Sequence, residues 1–149
     1  MAIESYYLHR AKLRVESKLE ALTDVLDWFD RLKIDAINNR TWLEFKTILA
    51  EAFDNTVCHA HQGLSCHTAI DLEITISHSS IILKIWDYGA KFDLETHKNQ
   101  LPKLVNPEAE SGRGILLLKE LSDYLSYTRL PDRRNCLLVI KIYSPAVTK

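Results

Sequence analysis

The run EAFDNTVCHAHQGLSCH, residues 51–67, sets two cysteines, three histidines, two acids and an asparagine within seventeen positions. Two kinds of chemistry compete for it. Cys58, His59, His61, Cys66 and His67 are ligand types for zinc, whereas Glu51 and Asn55 are base and ligand types for a hard cation. Structural zinc needs four ligands at tetrahedral angles, supplied as pairs a few residues apart. Cys58 and His61 have that spacing, but Cys66 and His67 are adjacent, and neighbours on a strand point to opposite sides. The spacing favours Cys58 as a small filler and the histidines as residues of a helix end, where the dipole suits them. Glu51 and Asn55 lie four apart, so a helix stacks them on one face. There an amide offers a carbonyl oxygen to a cation, and a carboxylate acts as base or orients a water. A plain solvated helix face is the competing explanation.

Glycine is used sparingly. Average composition predicts about ten glycines in a chain of this length. There are four: Gly63, Gly89 in WDYGAKFD, and Gly112 and Gly114 in ESGRGILLLKEL. Glycine is needed where the backbone takes a positive φ or where something approaches it closely. Gly112-Arg113-Gly114 at a helix start would leave unpaired amides at the positive end of a dipole, a cradle for phosphate. A tight loop-to-helix turn would explain the same residues.

The elements that must position these groups follow from periodicity. Residues 5–15 alternate loosely and predict a strand. Ser17 and Glu20 have capping-box spacing ahead of a helix to about residue 33, with Leu19, Leu22, Val25, Leu26, Phe29 and Leu32 recurring at three and four. Asn38 to Arg40 break that helix. A second helix is predicted over 41–61, with Trp42, Phe45, Leu49, Ala52, Phe53, Thr56 and Ala60 on one face, Glu51 and Asn55 opposite, and Gly63 as its stop. Ile70 to Ile76 alternate as a half-buried strand. Ile81 to Asp87 is apolar on nearly every position, as a central strand is. Residues 94–111 are polar, carry Pro102 and Pro107, and read as a lid or binding loop. A helix over 112–121 and strands over 124–130 and 136–143 finish the chain. The order β, α, α, β, β, loop, α, β, β predicts a two-layer α/β sandwich with a mixed, mostly antiparallel sheet and helices on one face.

The 149 residues suit one domain, 1–149, with a real core. A formal net charge of −1 and the lack of an obvious basic stripe argue against nucleic acid or an anionic membrane surface as a partner. Three cysteines without framework spacing predict a reducing compartment. With no apolar run of signal-peptide or membrane-spanning length, the expected location is the cytoplasm.

EAFDNTVCHA on a helix, DYGAKFD after a strand and GRGILLLKEL opening a helix together resemble the three nucleotide-binding boxes of the GHKL (Bergerat-fold, histidine-kinase-like) ATPase superfamily. Length and box spacing are most similar to its small bacterial anti-sigma-factor serine/threonine kinases, over about residues 5–143. The resemblance implies ATP and magnesium. It implies Asn55 as the magnesium ligand, Glu51 as general base, and His59 as a polar residue beside the pocket. It implies Asp87 as acceptor for the adenine amine, and Gly89 as room for the base. Gly112, Arg113 and Gly114 would wrap the phosphates, and residues 94–111 would be the ATP lid. It also implies a serine/threonine kinase that phosphorylates an anti-anti-sigma partner of STAS type, binds a sigma factor and forms a homodimer. Residues 13–20, LRVESKLE, are open between a dimer or partner surface and a core-facing element.

One departure bears on activity. The family pattern Asp-x-Gly-x-Gly-Phe-Asp here runs Asp87, Gly89, Lys91, Phe92, Asp93. Lys91 either reaches a phosphate or narrows the pocket. A nucleotide-gated module that sequesters partners without turnover is therefore the alternative to a kinase. A histidine-kinase fragment is not expected, since no helical hairpin with a phosphoacceptor histidine precedes the boxes.

Overall fold

The computed structural model describes residues 7–90 and 110–146. In chain order it contains β1 (Tyr7–Glu16), α1 (Leu22–Asp30), α2 (Asn39–Asn55), β2 (Ala69–Ser77), β3 (Ser80–Asp87), α3 (Glu110–Leu121), β4 (Tyr124–Arg129) and β5 (Asn135–Ile142). A 3-10 turn, Leu19–Ala21, leads into α1, and a π-helical turn, Thr56–Ala60, prolongs α2. The strands form one five-stranded sheet of order β1-β2-β3-β5-β4, with every neighbouring pair antiparallel. The apolar run Ile81–Asp87 is central, as predicted, and the two-layer α/β sandwich is borne out.

Register separates the two faces. Leu72 lies opposite Ile85, Ile74 opposite Leu83 and Ile76 opposite Ile81, and all six are buried with Val25, Phe29, Phe45, Ile48, Leu49 and Phe53 of the helices. The intervening pairs, Asp71 with Trp86, Glu73 with Lys84 and Thr75 with Ile82, therefore face away from the helices. In LRVESKLE, Leu13 and Val15 pack against the core, while Arg14 points to the other face and pairs with Asp71. Among the described residues, no helix is long and apolar enough to cross a membrane.

The helix boundaries differ from expectation for identifiable reasons. Ser17 and Glu20 do not form a capping box. Lys18 occupies the cap position of the 3-10 turn without a side-chain cap bond, and the Ser17 hydroxyl is buried against the His61 ring. A buried imidazole N–H competes for that oxygen because an unpaired polar group away from water is costly. Asn38 does not merely end the preceding segment. Its side chain accepts from the Thr41 N–H at 2.8 Å and starts α2 at Asn39. The predicted helix to residue 61 stops being α-helical at Asn55 and widens into the π turn, and the chain leaves through Gly63. Asn38→Ala is expected to cost about 1 kcal/mol of unfolding free energy, the usual worth of an N-cap. Urea denaturation with an unchanged slope would register it as a shifted midpoint.

Candidate functional site

Glu51 and Asn55 occupy the last two turns of α2, and both are half-buried rather than on a solvated face. What covers them is α3. A Cβ added to Gly114 would stand 2.9 Å from Glu51 Oε2 and 3.1 Å from Asn55 Oδ1, so a larger residue here would push those side chains aside. The Asn55 side-chain nitrogen Nδ2 is buried with no hydrogen-bond partner, the only such side-chain atom among the described residues. A buried amide N–H without an acceptor costs free energy that a ligand oxygen would recover. α3 begins at Glu110, two residues earlier than expected. The backbone N–H groups of Gly112 and Arg113 thus fall in the first turn, where helix donors lack internal partners, and Gly114 lies just beyond it.

The π turn ties this helix to the end of β3. The His61 N–H donates to Thr56 O at 2.8 Å, the long spacing that widens the helix. The Ala60 carbonyl then lies against Gly89, where an added Cβ would sit 2.3 Å from that oxygen. Gly89 therefore accommodates protein backbone, whatever else approaches it. The His61 ring is 2% exposed and bridges two elements. Its Nε2 accepts from the Tyr88 N–H at 2.9 Å, which leaves the proton on Nδ1 to donate to Ser17 Oγ at 2.9 Å. Burial lowers its pKa, against a smaller opposing pull from Asp87. The imidazole is held neutral.

Asp87 ends β3 and is 1% exposed. A buried carboxylate must find donors, and it has three. Oδ1 accepts from Gly89 N at 2.8 Å and from Asn135 Nδ2 at 2.9 Å; Oδ2 accepts from the Tyr127 hydroxyl at 2.5 Å. Burial and the neighbouring Asp87 charge push the Tyr127 phenol far above its ordinary range, so it stays a donor. Arg129 Nη1 donates to Gly89 O at 2.8 Å, and Asn135 Nδ2 reaches the same oxygen at 3.0 Å. Sequence reading selected Asp87 and Gly89 but missed Tyr127, Arg129, Asn135 and His61. The available signal was the alternation of β4 and β5, which places Tyr127, Arg129 and Asn135 on the helix side of the sheet where an apolar residue would be usual.

The remaining candidates divide. His59 is exposed at the π turn. Cys58 donates to Asp54 Oδ1 at 3.6 Å, Cys66 is exposed, and His67 pairs with Glu16 at 3.3 Å. Among the described residues, no three His, Cys, Asp or Glu side chains are grouped to hold a metal ion. Lys91, Phe92 and the lid up to residue 109 lie outside the described residues, and of Gly112 and Arg113 only the backbone is described.

A helix-backed antiparallel sheet, with a carboxylate and an amide on one helix, a buried aspartate at the end of the central strand and a third helix packed on the same helix at a glycine, makes a two-layer α/β sandwich. The family model of the histidine kinase-like ATPase domain matches residues 15–141, and the chain belongs to that family. The chain is 31% identical over 104 residues to the serine-protein kinase RsbW of Listeria monocytogenes serotype 4a, and equally to that of Listeria innocua serovar 6a. Those matches cover 62% of this chain and 66% of each relative, so the chain spans just under two thirds of the length of these curated relatives. A chain in the crystal structure of the SiaB–SiaC complex from Pseudomonas aeruginosa shares the fold with a TM-score of 0.65, over 94% of this chain and 92% of that one, at 12% identity.

Two outcomes follow from the packing. Gly89→Ala is expected to lower stability by about 1–3 kcal/mol, because the new methyl meets a backbone carbonyl that cannot rotate away; thermal unfolding measures it. The depressed His61 pKa means that the unfolded chain binds the proton more tightly. Its contribution is present above the ordinary value of 6.5 and is lost as pH falls from there through the folded-state pKa. Denaturation midpoints from pH 8 down to pH 5 should fall on the acid side in the native chain, and the fall should be smaller in His61→Gln.

Proposed function

We propose that the chain binds ATP with magnesium between α2, α3 and the end of β3, and acts as an anti-sigma-factor-type serine/threonine protein kinase. Its substrate in this reading is an anti-anti-sigma partner of STAS type, and a sigma factor is its second partner. The observation that carries the reading is the orphaned Asn55 amide beside Glu51, beneath a helix whose contact glycine leaves no side chain in the way. A phosphate oxygen would satisfy that donor, while the carbonyl oxygen of the same amide is the type of ligand magnesium takes alongside waters and phosphates. Asp87 also fits. A carboxylate offers about four acceptor sites; among the described residues three donors reach it, and an exocyclic purine amine would be a fourth.

Phosphoryl transfer depends mainly on positioning and charge neutralisation, and bound magnesium supplies the latter. In this reading the chain's own residues do the rest. Asn55 holds the cation, the Gly112 and Arg113 amides cradle phosphate, and Glu51 takes the proton from an incoming serine hydroxyl. His59 lines the rim, and Lys91, Phe92 and residues 94–111 are assigned to the base, the phosphates and the lid of a single domain by the family pattern alone. The kinase names of the Listeria relatives support the catalytic part.

A nucleotide-gated binder without turnover is the second reading. It is favoured by the Tyr127 hydroxyl already seated on Asp87 and by Lys91 at a glycine position of the family pattern. Magnesium-ATP should raise the melting temperature of the native chain, and Asn55→Ala and Asp87→Asn should each abolish that rise. Labelled γ-phosphate should pass to a STAS protein, at least about a hundredfold slower in Glu51→Gln if a general base is lost. A melting shift with no transfer selects the second reading, and no shift rejects both.

A further inference from the structure

The face of the sheet turned away from the helices is graded. Its β1 edge carries a basic row beside acids on β2, and β5 carries an apolar row. Alternation along β1 places Arg10, Lys12 and Arg14 in one row, a basic stripe that sequence reading overlooked. These cations lie above their acids. Arg10 and Lys12 both reach Glu73, at 3.3 and 3.8 Å, and Arg14 and Arg134 both reach Asp71, at 2.7 and 3.8 Å. Glu73 and Asp71 are 5% and 20% exposed, while Arg10, Lys12 and Arg14 are 58%, 71% and 68% exposed. Arg134 also pairs with Asp132 at 2.8 Å, and Lys84 adds a further cation opposite Glu73. Glu16 ends the β1 row and pairs with Lys18 at 3.6 Å, so that among the described residues six cations here meet four carboxylates, in a chain whose overall charge is negative. What an approaching group meets first is positive charge.

Between these cations lies an open groove of about 390 Å³, lined by Lys12, Arg14, Asp71, Trp86 and Arg134, with Leu13 and Leu72 behind them. Trp86 is its aromatic wall, with the Arg134 guanidinium 5.9 Å from the ring centre. Beyond it on the same face run Leu138, Ile140 and Ile142, the last 63% exposed, with Tyr124 at 52%. Because Asp71 and Glu73 are largely buried, these cations keep their pairs and meet a partner with the donors that face outward.

We infer that this groove docks an acidic, amphipathic segment of a partner protein, with its carboxylates on Lys12 and Arg14 and an apolar side chain on Trp86. Charge complementarity selects that occupant. A second copy packed face to face would set the exposed basic row against its twin or against the apolar stripe, since Asp71 and Glu73 lie beneath their own cations. Nucleic acid would leave the apolar part of the face uncovered. The inference does not depend on nucleotide binding, which lies on the helix side of the sheet.

The test is fluorescence anisotropy with a short labelled peptide alternating glutamate and leucine, alongside a lysine–leucine peptide and a single-stranded oligonucleotide. The acidic peptide should bind, and more weakly as salt rises. Lys12→Gln with Arg14→Gln should weaken it about tenfold, and Trp86→Ala about tenfold or more, each measured below the variant's own melting transition and with the magnesium-ATP shift retained. No binding, or equal binding by native chain and variants, overturns the inference. Binding of the oligonucleotide or the basic peptide at the same residues also overturns it, as does a dimer in sedimentation that Trp86→Ala dissociates.

Discussion

The arrangement depends on the contact between the π turn after α2 and the end of β3. The Ala60 carbonyl occupies the space a side chain at position 89 would need, and the His61 ring joins Ser17 beyond β1 to the Tyr88 amide beyond β3. A regular α-helix would carry the chain past the sheet end with Ala60 and His61 rotated to other directions. One widened turn redirects both, which is a common use of π-helical insertions near functional groups. The consequence is geometric. Asn55, on the helix immediately before the turn, and Asp87, on the strand immediately before the contact, are fixed relative to each other although 32 residues separate them. A site that grips opposite ends of one ligand requires that kind of fixed distance.

Much of this was legible in the sequence where a single period carried the information. Phe45, Leu49 and Phe53 at helical spacing, and Ile70 to Ile76 at strand spacing, specify which side is buried without knowledge of the rest. Gly89 and Gly114 were legible as positions of close approach. What they approach was not, because both contacts cross between elements far apart in sequence. The capping box failed for the same reason: Ser17 has a local partner in Glu20 and a better distant one in His61. Two of the donors on Asp87 come from β4 and β5, and only register brings Tyr127 and Asn135 beside it. Local pattern finds the residue that needs partners; topology supplies them.

The open face illustrates a related limit. Arg10, Lys12 and Arg14 are interspersed with Ala11, Leu13 and Val15, and the chain's balanced charge hides them. Alternation sorts the two sets to opposite sides, so a strand that pairs at one edge of the sheet contributes both to the core and to a basic row. Glu73 and Asp71 on the neighbouring strand hold that row in register through cross-strand pairs, which keeps like charges from spreading it apart.

The two faces are not independent, because one strand end belongs to both. Trp86 lines the open groove and Asp87, the next residue, is the buried acceptor on the helix side. Their register partners on β5 repeat the division: Asn135 donates to Asp87, while Cys136 lies opposite Trp86 on the open face. Arg134, one residue earlier, reaches across to Asp71 and over the indole. Successive residues of a paired backbone cannot move separately, since the ladder between β3 and β5 holds both at a common spacing. If each face takes a ligand, the effect of one on the affinity of the other must be equal in both directions.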